Sequence, residues 1–422
     1  MGGTLEEKSA SATKTVEDAG TEEESAPKQI PDMSICQNYF NYEYYFQILS
    51  SGKSVDEEGK NCQEEMSRIK EEIMAKVRDL EMAPFYEIVC ERLHWDLDQT
   101  LLTELKEKNE AEKEKYKEQE ADAEKNAGET EVLDALFDRA RFFSRVGARD
   151  AAYAAWDAIV ARPKVSAGKR MDAAMAKARV ALFCGDLPGM KAALEKSAEL
   201  GELGGDWDRL NRLKVYRAFY LVRVRDFAAA SALLLEGVAT FTCHELGAYE
   251  DFVQRAATLG VLHLPRTELK KQVVDGPEVL GVTRDRPLLG ALVTSLYDCD
   301  YRGFFEALVA LAPHFQRDLL LRAHHRHLVR ELRLLAYRQF LEAYRSVRLA
   351  GMARAFGVSA AWLDPELARF VAAGRLPAKI DKVAGVVETN RPDRKNAQYR
   401  ALVKRGDALL NRVQRLARAV DV

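Results

Sequence analysis

The 422-residue sequence has six cysteines and no CxxC pair, no apolar run of the roughly 18 residues that span a bilayer, and almost no excess charge. Its 63 Lys and Arg against 66 Asp and Glu leave a formal −3. Each absence excludes something. Cys36, Cys62, Cys90, Cys184, Cys243 and Cys299 are scattered, several in apolar helical context, which suits free thiols in a reducing compartment better than disulfides or zinc. The near-balanced charge gives no global field toward nucleic acid or a membrane. The N-terminus has neither the apolar core of a secretory signal nor the arginines of a transit peptide, so nothing is expected to export or anchor the chain, and cytoplasm and nucleus are the expected compartments. Also missing are a GxSxG elbow, a dinucleotide-binding glycine fingerprint and a paired Cys/His nucleophile site.

What is present is helical. Residues 1–33 read as a disordered acidic tail, too poor in large apolar side chains to offset the entropy of ordering. Residues 34–125 read as N-terminal helices. "NYFNYEYYFQIL" is an aromatic first core helix, Ile69, Ile73, Val77 and Leu80 recur at helical spacing, and Pro84 marks a turn into the next helix. "ELKEKNEAEKEKYKEQEADAEK" carries charge on every face and reads as a solvated helix held by i,i+4 pairs.

Residues 126–275 repeat. "VGARDAAYAAWDAI", "FCGDLPGMKAALEK", "VRVRDFAAASALLL" and, further on, "LYDCDYRGFFEALV" each show a helix, a short turn, an Asp and a second helix. Asp150, Asp186, Asp226 and Asp300 are the expected N-caps. Their spacing, with one intervening unit lacking the Asp, is that of tetratricopeptide-like (TPR-like) helix pairs, which bury their apolar faces by stacking into an α-solenoid.

The C-terminal third changes character. Residues 276–342 read as helices leading to a winged helix at 343–390: two helices separated at Gly357-Val358-Ser359, then short strands at Ala378–Asp381 and Val386–Thr389 around a Gly-containing turn. The second helix, expected to pair Arg369 with Asp364 and Glu366, lacks the basic face that duplex readout needs, so nucleic acid is not the expected partner. The hairpin's outer strand offers unpaired main-chain groups that a neighbouring chain can complete, with Lys379, Ile380, Val386, Val387 and Thr389 as candidate contact residues. In 391–422, Tyr399, Leu402, Leu409, Val413, Leu416 and Val420 recur at three- and four-residue spacing, interrupted at Gly406, as a coiled-coil-like seam that needs something to pack on.

"GGDWDRLNRLKVY", "FGVSAAWLDPELARFVAAGRLPAKIDKV" and "VVETNRPDRKNAQY", supported by "MAPFYE" and "DAEKNAGETE", resemble the non-ATPase subunit six family of the proteasome regulatory particle, PCI-domain components of its lid, over about residues 70–422. The resemblance implies an all-α solenoid of TPR-like helix pairs followed by a PCI winged-helix module with a small β-hairpin and a C-terminal helix. It also implies a non-catalytic scaffold, hetero-oligomeric with other PCI-domain lid subunits, a lid deubiquitinase subunit and the proteasomal ATPases. Their hairpins would align edge to edge and their C-terminal helices gather in one bundle, in support of ubiquitin-dependent degradation. The first seventy residues depart from the pattern, and His325 and His327 stand where the family tends to carry aromatics. A signalosome PCI subunit and an RNA- or initiation-complex PCI protein are the alternatives.

No catalytic residue, metal or cofactor is expected. His324 and His327 are three apart on a helix but lack a third and fourth ligand nearby, and no Ser and Asp follow His325-x-His327 as a zinc deubiquitinase motif would need. "SSGKS" at residues 50–54 has Gln47 where a phosphate loop needs its first glycine. The arginine-rich stretch from Arg317 to Arg348 is expected to serve solvated or interdomain ion pairs, with an acidic partner as the alternative.

Overall fold

A computed structural model describes residues 31–50, 57–126, 128–390 and 394–420. The acidic tail through residue 30 and the segment 51–54 of the phosphate-loop-like stretch lie outside these residues. The N-terminal helices are α1 (Met33–Ser50), α2 (Glu57–Asp79), α3 (Ala83–Leu93) and α4 (Gln99–Asn126). The aromatic-rich α1 is a core helix. Ile35, Cys36, Tyr42 and Tyr45 are buried, and Tyr42 meets Trp95 edge-on at 5.0 Å. It is also a strap: the Cys36 thiol donates to the Phe183 carbonyl at 3.4 Å, and Glu43 pairs with Arg322 at 2.9 Å. In α4 the charges are used between helices more than along one. Glu112 and Glu120 take Arg145 and Arg139 from the next helix, Lys106 takes Glu87, and Lys113–Glu110 is an i,i+3 pair.

Five helix pairs follow: α5 (Glu129–Val146) with α6 (Arg149–Ala161), α7 (Ala167–Cys184) with α8 (Leu187–Glu202), α9 (Trp207–Val224) with α10 (Phe227–Gly237), then α11 (Tyr249–His263). A short α12 (Arg266–Leu269) runs into a π-turn at Lys270–Val274 and leads to α13 (Pro277–Asp285), the partner of α11 in the unit without a capping Asp. The last pair is α14 (Pro287–Asp298) with α15 (Tyr301–Arg317).

The turn chemistry is shared by four pairs. One residue in the left-handed region ends the first helix: Gly147 (φ 82°), Gly185 (φ 75°), Arg225 (φ 72°) or Cys299 (φ 64°). The next residue caps the second helix. Asp186, Asp226 and Asp300 hold that place and accept from the N–H groups of Gly189, Ala229 and Gly303 at 3.0, 3.2 and 3.2 Å. A Cβ at Gly189 or Gly303 would run into the capping carboxylate. Asp150 does not cap. Because Gly147 closes α5, the cap position falls to Ala148, and Asp150 lies inside the first turn of α6, paired with Arg149 at 3.0 Å. Asp300→Ala and Asp226→Ala are therefore each expected to cost about 1 kcal/mol, and Asp150→Ala less than about 0.5 kcal/mol, by urea denaturation.

The stack is closed by a charge network that reaches inside. Arg255 of α11, 5% exposed, donates through Nε to Asp318 at 2.7 Å, while the other Asp318 oxygen accepts from Leu320 and Leu321 N–H at 2.8 and 2.9 Å. Asp318 thereby fixes the turn that leads from α15 into α16 (His325–Glu342).

Candidate functional site

After α16 the chain forms β1 (Ser346–Arg348), α17 (Leu349–Phe356), α18 (Ala360–Ala372), β2 (Ala378–Asp381) and β3 (Val386–Thr389). Gly357 (φ 69°) ends α17, and Ser359 caps α18 by accepting from Trp362 N–H at 3.3 Å. Leu363, Leu367 and Phe370 face inward.

An aromatic cluster joins this module to the solenoid. Phe356, 1% exposed, lies between Tyr301, Phe305, Tyr337 and Phe340, with ring centroids 5.0 to 5.4 Å away. Polar latches surround it. Arg375 pairs with Glu331, Arg338 donates to the Arg375 carbonyl at 2.6 Å, and Arg333 pairs with Glu366 at 3.1 Å. The carboxylates of α18 thus go to Arg333 and, for Asp364, to Lys382 at 3.1 Å, and not to Arg369 as the sequence spacing suggests. Glu366 lies on the buried face of α18 and turns to Arg333 of α16, whereas Arg369 is exposed.

Burial on its own would raise the Glu331 carboxyl, but the hydrogen bonds and charge of Arg375 outweigh it and hold the group below its ordinary value. A lowered carboxylate contributes stability above its unfolded pKa of about 4.3 and loses it as pH falls through the folded value. Arg375→Ala is expected to lower the urea midpoint near neutral pH and to flatten the loss of midpoint on acidification below about pH 4.3.

The histidines of the "AHHRH" stretch are turned to separate uses. His324 Nε2 lies 2.9 Å from the Arg223 carbonyl, His325 Nδ1 lies 2.7 Å from the Arg322 carbonyl, and His327 faces the Phe227 ring at 5.9 Å. His327 thus makes the ring contact an aromatic residue would make. No group of three or more His, Cys, Asp or Glu among the described residues could hold a metal ion.

The sheet corrects the expected edge. Its order is β1-β3-β2, all antiparallel, with Val347 opposite Val387 and Ile380 opposite Val387 from the other side. Val386, Val387 and Thr389 lie on the central strand. Val387 is fully buried, and Thr389 N–H donates to the Arg345 carbonyl at 2.9 Å. Main-chain contact with another molecule is closed to these three residues. The alternation of antiparallel bonds, set by Thr389 with Arg345, Leu349 with Gly385 and Asn390 with Pro377, turns Lys379 and Asp381 toward β3 and leaves the main chain of Ile380 on β2 and of Ser346 and Arg348 on β1 facing outward. The sequence reading missed β1: three residues with a single β-branched side chain carry no strand period. Its signal lies in the partner strand, where Val386-Val387 is too apolar for a hairpin edge.

The C-terminal helix α19 (Arg394–Val420) is the other half of the site. From Gln398 to Val420 every residue is exposed. Tyr399, Leu402, Leu409, Val413, Leu416 and Val420, joined by Val403 and Leu410, are between 54% and 74% exposed, so the seam packs against nothing among the described residues. An apolar stripe of that size in water marks a surface meant to be covered.

The chain matches the family model for 26S proteasome subunit RPN7 at residues 98–272, that for the PCI domain at 308–391, and that for the 26S proteasome regulatory subunit RPN7/PSMD6 C-terminal helix at 398–420. It is 42% identical over 358 residues to the 26S proteasome non-ATPase regulatory subunit 6 homolog of Arabidopsis thaliana, covering 85% of this chain and 92% of the relative. The 26S proteasome non-ATPase regulatory subunit 6 of Caenorhabditis elegans is 36% identical over 424 residues, 99% and 100% of the two chains. The chain belongs to the 26S proteasome non-ATPase regulatory subunit 6 family. COP9 signalosome complex subunit 1 of Arabidopsis thaliana is 25% identical over 164 residues, 39% of this chain and 37% of that protein, so the signalosome reading is not favoured. Within the subunit 6 family, the solenoid and PCI module are the parts built here as stacked pairs and a three-stranded winged helix, and the family's C-terminal helix coincides with the exposed α19. No helix among the described residues is long and apolar enough to cross a membrane.

Proposed function

We propose that the chain is a non-catalytic scaffold subunit of the proteasome lid, joined to other PCI-domain subunits through its winged-helix sheet and through a helical bundle that includes α19. The exposed stripe of α19 carries this reading, because among the described residues nothing packs on the helix, which leaves its apolar face for other chains to cover. In this role it positions a lid deubiquitinase subunit relative to the proteasomal ATPases, in cytoplasm and nucleus, and supports ubiquitin-dependent degradation without chemistry of its own. In this reading 34–125 is the N-terminal body, 126–275 the repeat body, 276–342 the helical part of the PCI module, which continues the stack with α13 and the α14–α15 pair, 343–390 the winged helix and 391–422 the segment that carries the bundle helix.

The sheet contact falls to the edge residues. Of the five candidates on the hairpin, Lys379 and Ile380 lie on the edge strand β2, where only the Ile380 main chain faces outward, while Val386, Val387 and Thr389 lie on the central strand behind it. Proline at Val387 would break the chain's own pairing with Val347. Ile380→Pro removes an outward N–H instead. It is expected to leave circular dichroism unchanged and to weaken recovery of sister PCI subunits in affinity purification. Unchanged recovery would count against strand addition at β2.

A further inference from the structure

Between Arg394 and Val420 the helix carries eight Lys and Arg against the single Asp407, a formal +7 in a chain whose total is −3, so the other residues carry −10. The charges have a geometry. At 100° per residue the apolar positions span an arc that starts at Leu416 and ends at Val403. Arg405 and Arg412 flank one margin, Arg400 and Arg418 lie toward the other just beyond Asp407, and Lys404 and Arg415 occupy the back. Every one of these six is solvent-exposed. We propose that α19 docks among acidic amphipathic helices of other proteins: an apolar face covers the stripe, and Asp or Glu at the flanking positions meets Arg400, Arg405, Arg412 and Arg418. This rests on the bundle reading above and names the chemistry of the partner.

Charge complementarity selects this occupant over the others. A second copy of the chain brings a second +7 helix, and the like charges of Arg405 and Arg412 along one margin, with Arg400 and Arg418 outnumbering Asp407 toward the other, oppose a homotypic bundle. The chain's own first thirty residues have seven acidic against three basic side chains but almost no large apolar ones, so they could not cover the stripe. Nucleic acid would leave the stripe in water. An anionic membrane surface would accept a basic amphipathic helix, but Gly406 argues for a helix partner. It lies within the apolar arc, where glycine costs the helix about 1 kcal/mol relative to alanine. A Cβ there would meet nothing within 4 Å among the described residues. Glycine in the seam lets a second helix approach closely, an advantage that a lipid surface does not exploit.

The test uses the full chain, added to regulatory complex purified from cells depleted of it. Arg400, Arg405, Arg412 and Arg418 are replaced together by Glu, and in a second variant by Lys; a third carries Leu409→Asp with Val413→Asp. The Glu variant is expected to incorporate at least about tenfold less than wild type at about 0.15 M salt. The Lys variant should incorporate normally, and wild-type incorporation should fall as salt rises. Normal incorporation of the Glu variant, with loss of the Asp variant, overturns the charge proposal and leaves the bundle reading standing. Normal incorporation of both overturns the two together. Binding of the wild type to phosphatidylserine vesicles, abolished by the Glu substitutions while incorporation is untouched, assigns the charge to a membrane and also overturns the proposal.

Discussion

Leu409→Asp with Val413→Asp leaves the melting temperature of the isolated chain unchanged and removes the chain from the regulatory complex. Both halves follow from one observation. The two side chains are 63% and 54% exposed, so in the isolated chain their replacement removes little buried area. In a bundle each would be worth about 1.5–3 kcal/mol of burial, and a carboxylate in its place adds a desolvation cost. The loss of two such contacts corresponds to on the order of a hundredfold or more in affinity. Differential scanning fluorimetry of the isolated variant and native gels of cell extracts measure the two halves separately. A fall in melting temperature would mean that α19 packs on its own chain.

Phe356→Ala does the opposite. Phe356 is the ring on which the winged helix and the last solenoid helices meet, with Tyr301, Phe305, Tyr337 and Phe340 around it. Truncation removes its burial and leaves a cavity among large rings that cannot collapse into it, an expected cost of about 3–5 kcal/mol. A domain's total stability is about 5–15 kcal/mol, so the winged helix should loosen from the solenoid. Limited proteolysis within residues 343–390 and a lowered urea midpoint would report it. Val309→Ala, at a residue 72% exposed on α15, is the matched control and should change neither. An unchanged urea midpoint for Phe356→Ala would show that the two parts are held by the Arg375–Glu331 and Arg333–Glu366 pairs instead.

Much of this architecture is legible in the sequence because local signals agree with tertiary roles. Asp186, Asp226 and Asp300 announce their caps, and Ile69, Ile73 and Val77 announce a buried face. Asp150 misleads because Gly147 closes the preceding helix and puts the cap at Ala148, two positions before Asp150, and a cap is defined by where the preceding helix stops. Arg369 misleads because a salt-bridge partner inferred from same-helix spacing ignores which face is buried, and Glu366 faces Arg333. The edge of the sheet was hidden for a different reason: β1 is three residues, and its pairing with β3 is non-local, so nothing between Ser346 and Arg348 reveals it. The α19 seam was legible because its apolar period is long and uninterrupted except at Gly406, but the sequence alone left open whether its own solenoid would cover it.

Hydrogen–deuterium exchange over residues 398–420 tests the central claim, comparing the isolated chain with the chain in the assembled regulatory complex. A helix with no tertiary cover frays and exchanges rapidly. The account predicts fast exchange throughout α19 in the isolated chain and strong slowing in the complex, greatest at Leu402, Leu409, Val413 and Leu416. Protection already present in the isolated chain, or exchange just as fast in the complex, would contradict it.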